Sequence, residues 1–297
     1  MGFTLKDDYE KFLELKRNHI TTNEIDTCNE NFLAPTTLIP LLYIAKQENK
    51  QIKYNKSTNT YITRILNNKD TTTTSFISNT DDYKLFMNLP IEQVQRQKEE
   101  SNEKFVDKLD HEYGGLWFQR YVLEELTTNI YEHAYQRGKI DVGVNYAQIY
   151  PRRKLMDLCI YDAGKSIPGN YEDHGQEIHD DCHAIEKALL GVSTGYCENM
   201  NYTYQRGNGI RTVIKKLITE NKGEALIASR KAYLHIQSKK NYEYKLCEPL
   251  KGTLITLRLK QNRVKQFMDL GEMTFPNPYH YIEGEFFDEN YDEKIIK

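Results

Sequence analysis

The sequence predicts an α/β protein, an α+β sandwich in two domains. Three observations carry this. The chain has 297 residues, enough for about two domains at roughly 100–200 residues each. Short strand-like and helix-like runs alternate through residues 1–100, the pattern of helices packed on a sheet. A helical run over 117–135, with Phe118, Val122, Leu126 and Ile130 spaced four apart, is followed by paired strand-like runs.

The elements follow in order. Phe12, Leu13, Leu15 and Ile20 belong to an amphipathic opening. Residues 32–44 (FLAPTTLIPLLYI) are the most apolar stretch of the first hundred. They predict a helix starting near Thr37, with Pro40 tolerated in its first turn. Gln51–Tyr54 reads as a short strand, Tyr61–Leu66 as a short helix, and 70–80 as a Thr-rich loop or edge strand. The charged run 90–110 reads as a solvated helix or linker, which puts a domain boundary near 100. Strands are expected at 142–149, 154–161, 225–236 and 252–259, and a helix at 210–217. The second sheet is expected to be rich in antiparallel pairs, with its helices on one face. The tail 263–297 holds eight acidic and four basic residues among many aromatics. It either docks on the body, binds a partner or stays disordered.

Composition excludes several classes. Hydrophobic residues make up 39% and charged residues 28%, which excludes a disordered chain, a collagen and a coiled rod. Forty basic against 43 acidic residues give a net charge of -3, so no global basic field points to nucleic acid. Five cysteines at wide spacing, with no CxxC, do not make a secreted disulfide framework. The opening is too charged for a signal peptide, and no run reaches the roughly 18 apolar residues of a membrane helix. The expectation is a soluble, cytoplasmic protein without a membrane partner.

Four segments carry candidate chemistry. Glu125, Asn129 and His133 fall at i, i+4 and i+8, on one stripe beside the apolar face. An Asn oxygen suits Mg²⁺, which takes few protein ligands, and a Glu can orient a group attacking a phosphoryl centre. Asp162-Ala163-Gly164-Lys165-Ser166-Ile167 follows a strand-like run. It places a carboxylate at a sheet edge, where it can accept from an exocyclic amine, and a glycine where backbone can approach a ligand. Gly164-Lys165-Ser166 does not end a P-loop, because position 159 is Cys159 rather than glycine. Arg206-Gly207-Asn208-Gly209-Ile210 opens a helix, where free N–H groups and the dipole favour phosphate. Arg206 abuts those glycines and is the best placed cation for a phosphate. Gly252-Thr253 opens the strand LITLRL. Alone, each segment has an ordinary alternative: a solvated helix face, a turn, a flexible loop, a strand start.

Together, in this order, the four resemble the GHKL superfamily of histidine-kinase-like ATPases, whose Bergerat ATP-binding fold is shared by sensor histidine kinases and type II topoisomerases. Glu125–Asn129 resembles the N box, Asp162–Ile167 the G1 box, Gly207–Ile210 the G2 box, and Gly252-Thr253 the late Gly-Thr. The resemblance covers 111–260 and implies a domain over 101–262 that binds ATP and Mg²⁺. It implies that Asn129 binds Mg²⁺, that Glu125 polarises the attacking group, and that Asp162 takes the adenine amine with Thr253 helping through water. Gly164 and Ile167 would line the base pocket, Gly207, Asn208 and Gly209 would hold phosphates, and 169–206 would be the ATP lid. His133, four residues after Asn129, is most similar to the anti-sigma-factor serine kinase branch. Ser166 departs from the pattern, which usually has glycine there. Residues 1–100 resemble a small STAS-like domain, a partner-switching module.

Within the superfamily, residues 1–100 hold only His19 and show no dimerisation helix pair, which disfavours a sensor autokinase. The expected function is a regulatory ATPase or serine/threonine protein kinase using Mg-ATP. The alternative is an ATP-gated binding module in a stress or phage-defence assembly, with little turnover. A protein partner is expected, and a homodimer is possible. His174, His179, Asp180, Asp181, Cys182 and His183 crowd one segment, but no spacing there matches a zinc pattern.

Overall fold

The computed structural model describes residues 4–55, 75–78, 99–100, 102–130, 143–191 and 209–264. The expected helix at Tyr61–Leu66 and the tail beyond 264 lie outside these residues.

The first two helices are α1 (Leu5–Asn18) and α2 (Pro35–Gln47), separated by strand β1 (Glu24–Thr27). Thr4 caps α1: its side chain accepts from the Asp7 N–H while the Asp7 carboxylate accepts from the Thr4 N–H, a reciprocal box that satisfies two orphan donors. Strand β2 (Gln51–Tyr54) pairs in parallel with β1. Helix α2 begins at Pro35, so Pro40 lies inside it rather than in its first turn. Pro35 presets the helical φ at the first position, where no N–H is needed.

Among the described residues the main sheet has five antiparallel strands in the order β3-β4-β5-β7-β6. They are β3 (Ser75–Ser78), β4 (Gly143–Tyr150), β5 (Leu155–Asp162), β6 (Glu224–Ser238) and β7 (Asn241–Lys260). Between β3 and β4 runs helix α3 (Leu116–Asn129), and after β5 come α4 (Ile167–Asp173), α5 (Asp181–Leu189) and α6 (Gly209–Lys216). A π turn over Leu217–Asn221 prolongs α6, and Lys222 in a left-handed conformation ends it.

The sheet is covered on both faces. Met156, Leu158 and Ile160 of β5 share one core with Phe118, Val122 and Leu126 of α3, Ile185 of α5 and Val213 of α6. The alternate residues Cys159 and Tyr161, with Leu226, Ala228, Tyr233 and Leu254, share a second core with Tyr9 and Phe12 of α1 and Leu38 and Leu41 of α2. Strands buried on both sides read as nearly continuous apolar runs, and LMDLCIYD and LITLRL are such runs.

The helices that follow the first hundred residues, α3, α5 and α6, share the core on one face of the sheet, and α1 and α2 cover the other. The boundary near 100 does not separate two cores, because α1 and α2 cover the main sheet and residues 75–78 form one of its edge strands. The charged run is not wholly a solvated linker either. Phe105, Val106 and Leu109 are buried in the α3-side core, since a few apolar residues at helical spacing suffice to dock a charged helix.

A buried ionic group joins α1 to the sheet. Arg258 donates from Nε and Nη2 to the Asp157 carboxylate at 2.7 and 2.9 Å and from Nη2 to Asp8 at 2.9 Å. Glu224 accepts from Arg258 Nη1 at 3.3 Å and from the Leu5 N–H at 2.7 Å. Among the described residues no helix is long and apolar enough to cross a membrane.

Candidate functional site

Strand β5 ends at Asp162, which is 7% exposed. Its Oδ1 accepts from the Gly164 N–H at 2.9 Å. Burial pushes its carboxyl from the ordinary 3.8 up to about 7, with only the Gly164 hydrogen bond opposing. No cation faces it among the described residues. A buried carboxylate without a countercharge is costly to keep, and such groups mark functional sites.

The register sets Asp162 opposite Thr253 of β7. Gly252, just before, has φ +82°, and a Cβ there would stand 1.9 Å from the Asp162 carbonyl oxygen. Only glycine takes both that conformation and that approach. On the other side of β7, Ser229 of β6 is fully buried. Its Oγ accepts from the Ile167 N–H at 2.9 Å, donates to the Gly252 carbonyl at 3.1 Å and lies 3.0 Å from Thr253 Oγ1. Ile167 begins α4, which Ser166 caps by accepting from the Gly169 N–H at 3.1 Å. This accounts for a serine where the resemblance expected glycine: the hydroxyl stops an orphan helix donor.

Immediately after Ser229 the strand bulges. Arg230 has φ +52°, and the β6/β7 register shifts on both sides of it. The bulge turns Arg230 toward the helices after β5. It donates to both oxygens of Asp181 in α5 and to both oxygens of Glu172 in α4, at 2.5–3.0 Å. Helices α4 and α5, at the start of the expected lid, are thus clamped to the strand that carries Ser229.

The second part of the site lies between α3 and α6. Glu125 packs against Gly209, where a Cβ would stand 1.9 Å from its Oε2. Tyr121, one turn earlier on α3, hydrogen-bonds both Glu125 and Thr212 of α6; burial and the Glu125 charge push its hydroxyl up to about 12. Asn129 is half-buried at the last position of α3. Its neutral amide oxygen, one turn beyond Glu125, is donor chemistry that fits a hard cation arriving with phosphates. Ile167 and Ile210 both pack on the core that α3 and α6 share, so the two parts are fixed to one frame.

The structure therefore brings Glu125 to Gly209, and Asp162 to Gly164, Thr253 and, through Ser229, Ile167. His133, Arg206, Gly207 and Asn208 lie outside the described residues. Sequence reasoning missed Tyr121, Ser229 and Arg230. Tyr121 was findable, since it stands four residues before Glu125; nothing local marks Ser229 or Arg230.

In the histidine-rich segment each acidic residue has another partner. Asp180 caps α5 by accepting from the His183 N–H at 2.8 Å, and Asp181 holds Arg230. Among the described residues no group of three or more His, Cys, Asp or Glu is arranged to hold a metal ion. Comparison with family models, with curated proteins and with solved structures finds no match to this chain.

Proposed function

We propose that this chain binds Mg-ATP and acts as a regulatory ATPase or serine/threonine protein kinase of the GHKL type. The observation that carries the proposal is Asp162, a buried acceptor with no countercharge among the described residues, set beside a glycine turn and a Thr hydroxyl. Such a wall suits the exocyclic amine of a purine, which would supply the missing donor.

Each residue then has a task. Asp162 accepts from the amine, and Gly164 lets the base approach the backbone. Gly209 and the α6 N-terminus would take the phosphates, the task that the resemblance also assigns to Gly207, Asn208 and, beside them, Arg206. Bound Mg²⁺ would supply charge neutralisation on the phosphates, and Asn129 would hold it. Glu125 orients the attacking hydroxyl or water and accepts its proton. Tyr121 holds the Glu125 carboxylate in place.

The Arg230 clamp favours a second reading alongside the first. It ties α4 and α5 to the strand that carries Ser229, so a nucleotide beside Asp162 would be felt by those helices and change affinity for a protein partner with little turnover. The fate of the γ-phosphate separates the two. Transfer of label to a partner supports the kinase, and slow release of phosphate with lid closure retained in Glu125→Ala supports the switch.

Calorimetric titration of Mg-ATP into wild type and Asp162→Asn tests the pocket. Wild type is expected to bind, and the variant to lose about 1–3 kcal/mol. Absence of binding to wild type at millimolar Mg-ATP would overturn the proposal.

A further inference from the structure

Ser229 sits where β6 breaks its register, and its hydroxyl has three neighbours. The Ile167 N–H can only donate to it, at 2.9 Å. The Gly252 carbonyl can only accept from it, at 3.1 Å. Thr253 Oγ1, at 3.0 Å, can do either. A serine hydroxyl owns one proton and two lone pairs. One assignment alone makes all three contacts hydrogen bonds: Ser229 gives its proton to Gly252, and Thr253 gives its proton to Ser229. Ser229 is fully buried, and an unmade bond at this depth is costly.

The consequence falls on Thr253. With its proton committed to Ser229, its oxygen has only lone pairs left to offer a ligand. Opposite, Asp162 accepts through Oδ1 from the Gly164 N–H and, once ionised, is an acceptor only. The wall therefore presents acceptors to whatever enters.

We infer that Ser229 is a positioning residue for base specificity: it fixes the direction of the Thr253 hydroxyl, so that the pocket admits a 6-aminopurine nucleotide and rejects a 6-oxopurine one. The inference rests on the Mg-ATP reading above. A 6-amino group brings donors to this wall, whereas a 6-oxo group brings an acceptor that finds no donor. Without Ser229 the Thr253 proton is released to turn into the pocket and meet that oxygen.

The test compares Mg-ATP with Mg-ITP, which carries a 6-oxo group, on the full chain at about pH 8.5, where Asp162 is ionised. Wild type is expected to prefer ATP. Ser229→Ala is expected to lower the ATP-to-ITP affinity ratio about fivefold to tenfold, the worth of one hydrogen bond. Thr253→Val removes the hydroxyl with little change in volume and is expected to lower the ratio similarly. In the Thr253→Val background, Ser229→Ala is expected to leave the ratio unmoved, because the group it orients is gone. A purely structural Ser229 would weaken both nucleotides alike, and that result overturns the inference. So does a Thr253→Val variant that keeps the wild-type ratio, which stays decisive if Ser229→Ala does not fold. Wild type that binds both nucleotides equally overturns the specificity role and leaves the nucleotide site standing. Wild type that binds neither overturns the nucleotide reading and this inference with it.

Discussion

Gly209 and Glu125 share one space from two helices. A Cβ on Gly209 would stand 1.9 Å from Glu125 Oε2 and 2.8 Å from its Cδ. The glycine at the start of α6 is thus required by a side chain on α3, 84 residues earlier in number, rather than by its own backbone conformation.

Gly209→Ala should separate folding from turnover. The obstructed atoms are the far end of a flexible side chain, and alanine favours helix by about 1 kcal/mol over glycine. The variant is expected to melt within about 1 kcal/mol of wild type. Its displaced Glu125 carboxylate is expected to cost about 10- to 100-fold in Mg-ATP turnover. Phosphate release and a thermal melt on the same sample check this, and unchanged turnover would remove Glu125 from its proposed role.

Asp162 should make the nucleotide-free protein less stable at alkaline pH. Its folded carboxyl, raised from 3.8 to about 7, holds the proton more tightly than the unfolded chain does. The stability so gained is full below about pH 4 and lost as pH rises through about 7. Asp8, raised to about 6 by burial against the pull of Arg258, acts in the same direction. Asp162→Asn cannot ionise. At pH 8 it is expected to exceed wild type by roughly 2–4 kcal/mol in urea denaturation, and to match it near pH 4. A variant less stable than wild type at pH 8 would mean that the carboxylate is compensated.

Gly252→Ala meets backbone rather than a movable side chain. Its Cβ would stand 1.9 Å from the Asp162 carbonyl oxygen and 2.8 Å from the Ala163 Cα, at φ +82°. The expected loss exceeds about 2 kcal/mol, read as a lower urea midpoint. A wild-type midpoint would show that this turn relaxes freely.

Arg258→Met leaves Asp157, fully buried, with Asp8 and Glu224 beside it and no guanidinium between them. The expected loss is about 3–5 kcal/mol. Adding Asp157→Leu is expected to recover much of it, since an apolar pair of similar volume avoids the desolvation cost. Denaturant midpoints of the single and double variants decide the matter, and equal losses in both would place the energy elsewhere.

Much of the main sheet was legible. The four-residue spacing of Phe118, Val122 and Leu126 located α3, and the apolar runs around 154–161 and 252–259 located β5 and β7 to within a few residues at most ends. The start of β7 was missed by eleven residues, because its first half, NYEYKLCEPL, is rich in polar residues and only partly buried, with Tyr242 and Tyr244 alone marking the side that meets the α3-side core. Glu125 and Asp162 were legible by residue type and place. Ser229 was not, because a lone serine after LIA carries no pattern; its meaning comes from Ile167, Gly252 and Thr253 meeting around it.

Taken by itself, the sequence determined which runs become helices and strands, because periodicity and caps act within a dozen residues. It also determined which residue types were available for a site. Only the tertiary structure decided that α1 and α2 belong to the main sheet, since the contacts that hold them span the chain: Arg258 reaches Asp8 across 250 positions and Glu224 reaches Leu5 across 219. It alone decided that Glu125 fills the space Gly209 leaves, and that a bulge at Arg230 aims Ser229 and its neighbour at opposite tasks. Burial and hydrogen-bond pairing are properties of surfaces brought together, and no window of sequence contains both sides.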